Sequence, residues 1–218
     1  MNENVKAHLD LLMQRYPDLM PVKEDILSAY QILADSYAHG GKLLIAGNGG
    51  SAADSEHIVG ELMKGFLLKR EIKGELAEKI RVNCGEDAQY LIDNLQGALP
   101  ALSMVNQVAL NTAFANDQAP DLSFAQQLLG MGEEGDVLLA ISTSGNSTNV
   151  IYALDMARAK GVKSIALTGR SGGKIKAKNM ADITICVPED ETFKIQELHL
   201  PVYHMLCIAV ENEFFGEE

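Results

Sequence analysis

The stretch from Leu43 to Glu61 constrains the fold of this chain more than any other segment. It opens with the apolar run Leu43 to Ala46, passes through a segment rich in glycine and continues at helical spacing. A short apolar run bounded by glycine is typical of a central parallel strand that is covered on both faces. The stretch therefore predicts a buried strand, a tight turn and a helix, as expected in an α/β fold.

The glycine-rich turn is a candidate phosphate site. Gly47, Gly49 and Gly50 allow positive φ angles and a close approach of the backbone to a ligand. Ser51 can cap the helix and offer a hydroxyl group, while the free N–H groups of the first helical turn favour an anion. The turn also matches the pattern G-x-G-x-x-A, but the acidic residue expected about twenty positions later in a dinucleotide site is missing.

Two possible metal ligands or acid/base groups follow on the same helix. His57 and Glu61 are four residues apart, so they project from one face about one turn apart. This spacing is equally consistent with an ordinary solvated pair. The phosphate turn directly upstream favours a functional role.

A second hydroxyl-rich loop follows the clearest predicted strand, Asp136 to Ile141. It runs from Ser142 to Ser147 and precedes a predicted helix from Asn149 to Lys160. A single loop of this kind is commonly only a helix cap. Two such loops at the carboxyl ends of parallel strands point to a ligand site, because open α/β sheets bind ligands at that edge.

The rest of the chain continues the alternation of strands and helices. Further strands are predicted at Pro100 to Val105, Val162 to Thr168 and Asp182 to Val187, and a long final helix from Thr192 to Phe215. That final helix carries three residues that can do chemistry, namely Gln196, His199 and His204. A buried structural histidine is the ordinary alternative for either His.

Two helical segments lie outside this alternation. Residues 3 to 39 have helical spacing interrupted by Pro17 and Pro21, and they can pack on the domain or against a partner subunit. The charged segment from Lys69 to Gln96 predicts a helical excursion away from the sheet.

Composition limits the function classes. Eighteen basic and thirty acidic residues give a formal net charge of −12, which argues against direct nucleic-acid binding and against an anionic membrane surface. Three cysteines without CxxC spacing suggest neither a disulfide framework nor a cysteine zinc site. With no apolar run of membrane-spanning length and no signal-like start, we expect a cytoplasmic protein.

Three motifs, GNGGSAADSEHIVGEL, ISTSGNSTNV and IQELHLPVYH, together resemble the sugar isomerase (SIS) domain, and within it the phosphoheptose isomerases. The resemblance runs from about Gly41 to Glu211. It implies a doubly wound, flavodoxin-like three-layer α/β sandwich with a five-stranded parallel sheet. Residues 1–40 would be N-terminal helices for packing or oligomerisation, and residues 41–218 a phosphosugar-binding SIS domain with a helical insertion at about 69–96.

The resemblance also implies site residues. The family's zinc site, one ion per subunit, falls on His57, Glu61, Gln196 and His204, with Glu61 as the base and His204 as the acid. The family's substrate contacts fall on a larger set of residues: Asn48, Gly49, Gly50, Ser51, Asn116, Asp117, Ser142, Thr143, Ser144, Ser147 and Gln196.

The implied activity is a phosphosugar aldose–ketose isomerisation, with sedoheptulose 7-phosphate converted to a heptose 7-phosphate through an enediol or enediolate. The implied assembly is a homotetramer with sites between subunits. Two alternatives stay open, an isomerase for another phosphosugar and a non-catalytic phosphosugar-binding regulator that contacts a replication initiator. A regulator needs the phosphate loops but no complete acid/base set, so the four retained zinc-site residues favour the enzyme.

The spacing of Gln196 and His204 raises a geometric question. On a straight helix these residues lie about 12 Å apart along the axis and roughly 80° apart around it, which is awkward for one ion with bonds near 2 Å. Three explanations stay open: Pro201 bends the helix, Gln196 lies in an irregular first turn, or the two residues serve the sites of different subunits.

Overall fold

Five short parallel strands form the centre of the computed structural model, which describes residues 3–216. The sheet has the strand order β2-β1-β3-β4-β5, and each neighbouring pair is parallel. The doubly wound five-stranded parallel sheet that the family resemblance implies is confirmed. The strands are β1 Leu43–Gly47, β2 Ala101–Ser103, β3 Val137–Ile141, β4 Lys163–Thr168 and β5 Ile183–Cys186.

Ten α-helices surround this sheet within residues 3–216. In chain order they are α1 Glu3–Arg15, α2 Lys23–Ala38, α3 Gly50–Met63, α4 Gly74–Asn83, α5 Ala88–Asn94, α6 Val108–Asp117, α7 Ser123–Met131, α8 Thr148–Lys160, α9 Gly173–Ala177 and α10 Thr192–Phe215. Short 3-10 segments occur at Pro17–Val22, Gly85–Asp87 and Pro120–Leu122. No helix in this part of the chain is long and apolar enough to cross a membrane.

The central strands are apolar throughout because both faces of the sheet are covered. Successive residues of a strand point to opposite faces. Accordingly, Leu43 and Ile45 of β1 join the core beneath α1, α2, α3 and α10, whereas Leu44 and Ala46 join a second core beneath α7 and α8. Burying each large apolar side chain contributes roughly 1.5–3 kcal/mol, so this strand helps to hold both helical layers on the sheet.

The predicted strand at Pro100 to Val105 is shorter in the structure. Only Ala101–Ser103 forms β2, which pairs with β1 alone at the edge of the sheet. An edge strand has one neighbour, so its length is set by the register with β1. Beyond Met104, which donates its N–H to the carbonyl of Ile45, the chain turns away into α6.

The N-terminal helices share a core with the sheet. Val5 and Leu9 of α1 and Ile26 and Leu33 of α2 are buried among residues of β1, β3 and α10. Pro17 and Pro21 lie in the 3-10 segment between these helices, as expected where a helix is interrupted. The assignment of residues 1–40 to packing or oligomerisation stays a prediction.

The segment between α3 and β2 leaves the sheet and returns close to its starting point. The N–H of Gly97 donates to the carbonyl of Arg70 at 2.7 Å, and the N–H of Gly65 donates to the side chain of Gln96 at 2.6 Å. Helices α4 and α5 each have one buried residue, Ala77 and Ala88. The helical character predicted for residues 69–96 is found, and whether the segment is an insertion stays a prediction.

The winding of the fold reverses at the carboxyl edge of the sheet between β1 and β3. The strand order places β2 on one side of β1 and β3 on the other, so the connections that follow β1 and β3 lead to opposite faces of the sheet. Helix α3 packs into the first core and α8 into the second. This is the topological switch point at which open α/β sheets bind ligands.

Candidate active site

The loop after β1 has the backbone form expected of an anion site. Gly49 has φ +57° and immediately precedes Gly50, the first residue of α3. The side chain of Ser51 is buried. A Cβ added at Gly50 would overlap the side-chain amide of Gln196, so that amide lies directly on the start of α3.

The loop after β3 is held in a compact form by its own hydroxyl groups. The Oγ atoms of Ser142 and Ser147 are 2.9 Å apart, and the Oγ of Ser144 accepts a hydrogen bond from the N–H of Asn146 at 3.2 Å. Gly145 has φ +63°, and a Cβ there would overlap the backbone of Gly172 in the loop after β4. The loops after β3 and β4 therefore support one another.

A pair of asparagine amides links the loop after β1 to the helix that follows β3. The Nδ2 of Asn48 donates to the Oδ1 of Asn149, and the Nδ2 of Asn149 donates to the Oδ1 of Asn48, both at 2.9 Å. The sequence analysis missed Asn149, although its place in the first turn of α8, directly after the hydroxyl-rich loop, was a usable signal.

Three of the predicted acid/base and metal residues come together from two packed helices. His57 and Glu61 lie on α3 and His204 lies on α10. The Nε2 of His57 is 3.2 Å from the Oε1 of Glu61 and 3.5 Å from the Nε2 of His204. The other carboxylate oxygen of Glu61 pairs with the Nζ of Lys64 at 3.0 Å. The Glu61 carboxylate is thus fixed between two nitrogen groups.

The electrostatics of this cluster favour an uncharged His204. Burial lowers the pKa of His204, the nearby His57 lowers it further, and Glu61 acts in the opposite direction. Since the ordinary histidine pKa is about 6.5, the ring is mostly neutral at pH 7 and keeps one N–H to donate.

Behind the cluster lies a hydrogen-bonded pair that the sequence did not reveal. The hydroxyl of Tyr203 is 3.0 Å from the Nδ1 of His57 and donates to the Oδ1 of Asp54 at 3.2 Å. Tyr203 is buried, and burial raises its pKa and that of Asp54. Tyr203 resembles a core residue in the sequence, and its place next to His204 was the only available signal.

The end of α3 is anchored by an ion pair whose two side chains are both 0% exposed. The Nε of Arg70 donates to the Oε1 of Glu211 at 2.9 Å, and its Nη1 and Nη2 donate to the carbonyls of Leu62 and Glu61 at 2.6 and 3.2 Å. Glu211 also accepts hydrogen bonds from the N–H groups of residues 66, 67 and 68. The pair therefore ties the helix of Glu61 to the helix of His204.

Gln196 is not part of this cluster. It lies on Gly50, seven residues before His57 and so about 10 Å from it along the axis of α3. Helix α10 runs without a break from Thr192 to Phe215 and contains Pro201. Within residues 3–216, no set of three or more His, Cys, Asp and Glu side chains is placed to hold a metal ion.

Asn116 and Asp117 form the last turn of α6, where both are exposed. The Nδ2 of Asn116 donates to the Oδ1 of Asp117 at 2.8 Å. Their predicted substrate contact stays a prediction.

Comparison with known proteins places this site in a family. Models of the SIS domain match residues 20–93 and 99–209. The phosphoheptose isomerase of Citrifermentans bemidjiense is 37% identical over 211 residues, which span 97% of this chain and 94% of that protein. The phosphoheptose isomerase of Akkermansia muciniphila is 35% identical over 216 residues, which span 99% of this chain and all of that protein.

A solved structure agrees with the sequence relatives. Phosphoheptose isomerase GmhA from Neisseria gonorrhoeae superposes with a TM-score of 0.71 at 31% identity, over 96% of this chain and 98% of that one. Fold, strand order and sequence similarity over nearly the whole length lead to one assignment. The chain belongs to the SIS-domain family and, within it, to the phosphoheptose isomerases.

Proposed function

We propose that this chain catalyses the aldose–ketose isomerisation of sedoheptulose 7-phosphate to a heptose 7-phosphate. The observation that carries the proposal is that Glu61 and His204 both lie close to the Nε2 of His57. Glu61 and His57 belong to α3, whose N-terminus forms one side of the proposed phosphate site. Relatives named phosphoheptose isomerase, similar over nearly the full chain, support it.

The substrate phosphate would bind between the two loops. Ser142, Ser144 and Ser147 offer hydroxyl donors, and the start of α3 offers the positive end of a helix dipole. These local donors suit a dianion in a protein whose net charge is −12. Gln196 lies at the same helix start, which fits a substrate contact within its own chain.

The carbon chain of the sugar would then extend along α3 toward Glu61. The Glu61 carboxylate takes the proton from C1 of the ketose, and His204 donates its N–H proton to the C2 oxygen, which gives the enediol. In the second half, Glu61 returns its proton to C2, and His204 recovers a proton from the C1 hydroxyl as the aldehyde forms. Protons and electrons balance, and both groups end as they began.

Zinc is the metal that we propose for this site. Its donors would be His57, Glu61 and His204, the nitrogen and oxygen ligands that zinc prefers. The Nε2 of His57 lies 3.2 Å from the Glu61 carboxylate and 3.5 Å from the His204 ring. The three groups are near one another but are not arranged around one ion, so zinc binding would require their side chains to move. A bound zinc ion supplies polarisation of the substrate carbonyl and stabilisation of the developing oxyanion.

A homotetramer with sites completed between subunits is part of the same proposal. Gln196 lies about 10 Å from His57 along α3 of its own chain, so Gln196 can act as a metal ligand only for a second copy or after rearrangement. We also propose that the protein works in the cytoplasm, in keeping with its three free cysteines, of which two are buried.

The first test is replacement of the proposed base. Glu61→Gln removes the carboxylate but keeps its size. Turnover of sedoheptulose 7-phosphate should therefore fall by about 10²–10⁴-fold, the typical contribution of general-base catalysis, while binding of the phosphosugar persists. Turnover is measured by a coupled assay and binding by titration calorimetry.

Glu56→Gln is the matched control, because Glu56 is exposed on the same helix and should leave both quantities unchanged. Retained turnover in Glu61→Gln would remove Glu61 from the role of base. A wild-type protein that binds the phosphosugar without converting it would overturn the proposed activity and favour a phosphosugar-binding regulator.

A further inference from the structure

Two successive residues of α10 contact the two ring nitrogens of His57. His204 lies opposite the Nε2 atom at 3.5 Å, and Tyr203 lies at the Nδ1 atom, with its hydroxyl oxygen 3.0 Å away. Neighbouring helical residues differ by about 100° in direction, which allows one helix to reach both sides of the same ring. The ring planes are nearly perpendicular, at 85° for His57 and His204 and 76° for His57 and Tyr203.

The direction of the hydrogen bonds can be deduced from their partners. Tyr203 has one hydroxyl proton and donates it to the Oδ1 of Asp54 at 3.2 Å. The Tyr203 oxygen can then only accept at its contact with His57, so the Nδ1 of His57 must carry the proton. The other ring nitrogen, Nε2, is then the one that is left to face Glu61 and His204.

The Nε2 of His57 faces the proposed catalytic groups. The Nε2 of His57 is 3.2 Å from the Oε1 of Glu61 and 3.5 Å from the Nε2 of His204. With the Glu61 oxygen so close, Nε2 is the ring nitrogen that would bind a proton or a metal ion at the place where the reaction would occur. Without the hydroxyl of Tyr203, nothing at the Nδ1 side would hold a proton there or fix the orientation of the ring.

We propose that Tyr203 is a positioning residue, which, held by Asp54, accepts the Nδ1–H of His57 and so fixes the ring with its Nε2 toward Glu61 and His204. This inference rests on the proposed function for its catalytic meaning, but the hydrogen bond at Nδ1 does not depend on that function. Tyr203 does not touch the reacting atoms, because it is 1% exposed and lies behind His57. Hydrogen-bond partners of this kind typically change metal affinity or activity by 10–100-fold.

The test uses Tyr203→Phe, which removes one oxygen and keeps the buried ring. The matched control is Tyr30→Phe, because Tyr30 is also buried and donates its hydroxyl to a carboxylate, that of Glu213 at 2.7 Å on the far side of the core. Both variants are first compared with the wild type by circular dichroism and thermal unfolding, which establishes that they are folded.

The first readout is the tautomer, observed by long-range ¹H–¹⁵N spectra of the metal-free protein, with His57 assigned through a His57→Asn variant. The wild type and Tyr30→Phe should show His57 protonated on Nδ1, and Tyr203→Phe should lose this preference. A wild-type His57 without a proton on Nδ1 would overturn the proposal, whatever the activity of the protein.

The second readout is zinc affinity, measured by competition with a chromogenic chelator, together with kcat and KM for sedoheptulose 7-phosphate. Tyr203→Phe should weaken zinc binding and lower kcat by 10–100-fold with little change in KM, since the phosphate loops are intact. Asp54→Asn combined with Tyr203→Phe should add little, because both changes act through one contact. A folded Tyr203→Phe variant with wild-type zinc affinity and kcat would overturn the positioning role.

Discussion

His199 gives the sharpest test of the energetics of this fold. It lies on α10 and is 0% exposed, and neither of its ring nitrogens makes a hydrogen bond within the part of the chain that the structure describes. Burial lowers the pKa of His199 to about 4. The backbone of Thr168 lies close enough to offset part of this effect, although not in the geometry of a hydrogen bond.

The lowered pKa has a calculable effect on stability. The folded state binds the proton less tightly than the unfolded state, in which the histidine pKa is about 6.5. The stability from a neutral His199 is therefore complete above pH 6.5 and is lost as the pH falls from 6.5 to about 4. The full difference of about 2.5 pKa units corresponds to about 3 kcal/mol, of which about 2 kcal/mol is lost by pH 5.

The perturbation is His199→Leu, which fills the site with an apolar side chain of similar volume. Urea unfolding at pH 7 and pH 5 gives the free energy of unfolding for each protein. From pH 7 to pH 5 the wild type should lose about 2 kcal/mol more than the variant, because the variant has no proton to take up at this position. At pH 7 the variant should be at least as stable, since it buries no unpaired ring nitrogen.

His39→Gln serves as the control, because the His39 side chain is 73% exposed and its replacement should leave the wild-type pH dependence in place. Equal losses of stability in the wild type and in His199→Leu would refute the reasoning. They would mean that His199 takes up its proton in the folded state as readily as in the unfolded state.

Two further predictions concern the supports of the site. Arg70→Met leaves the Glu211 carboxylate buried without its ion-pair partner and should reduce the free energy of unfolding in urea by about 3–5 kcal/mol, whereas Lys69→Met breaks an exposed pair and should change it by no more than about 1 kcal/mol. A loss below 1 kcal/mol for Arg70→Met would contradict the anchoring role of the pair. In Gly145→Ala the new Cβ would overlap the backbone of the neighbouring loop, and residue 145 has φ +63°. The free energy of unfolding should fall by about 1–3 kcal/mol, and KM for the phosphosugar should rise. The control Gly130→Ala, in an open helical position, should be neutral or stabilising. An unchanged KM in Gly145→Ala would separate this loop from phosphate binding.

The features that could be predicted from the sequence are those that depend on the pattern of neighbouring residues along the chain. The strands β1 and β3 are continuous apolar runs because helices cover both of their faces. The loops that follow them can be recognised by their glycine and hydroxyl residues. The end of β2 was misjudged, because the apolar run continues beyond the residues that pair with β1. Length at a sheet edge depends on the neighbouring strand, which the local sequence does not contain.

Contacts between distant residues could not be predicted in this way. Asn48 and Asn149 are 101 positions apart, and Arg70 and Glu211 are 141 positions apart. Arg70 stands in a charged stretch that resembles solvent-exposed chain, and only the packing of α10 shows that it is buried. The separation of Gln196 from His204 follows from the uninterrupted course of α10 through Pro201.

The excursion between Gly65 and Gly97 departs from and rejoins the body of the protein through a narrow neck. A Cβ at Gly97 would press on the ring of Phe215, and one at Gly65 would overlap the carbonyl of Leu68, so the neck is closed as tightly as glycine permits. Because the two ends of the excursion are held together, its length has little effect on the sheet. Doubling that length would cost only about 0.6 kcal/mol in loop-closure entropy. The neck is therefore a natural grafting point, where evolution or an engineer can exchange one helical appendage for another beside the mouth of the active site.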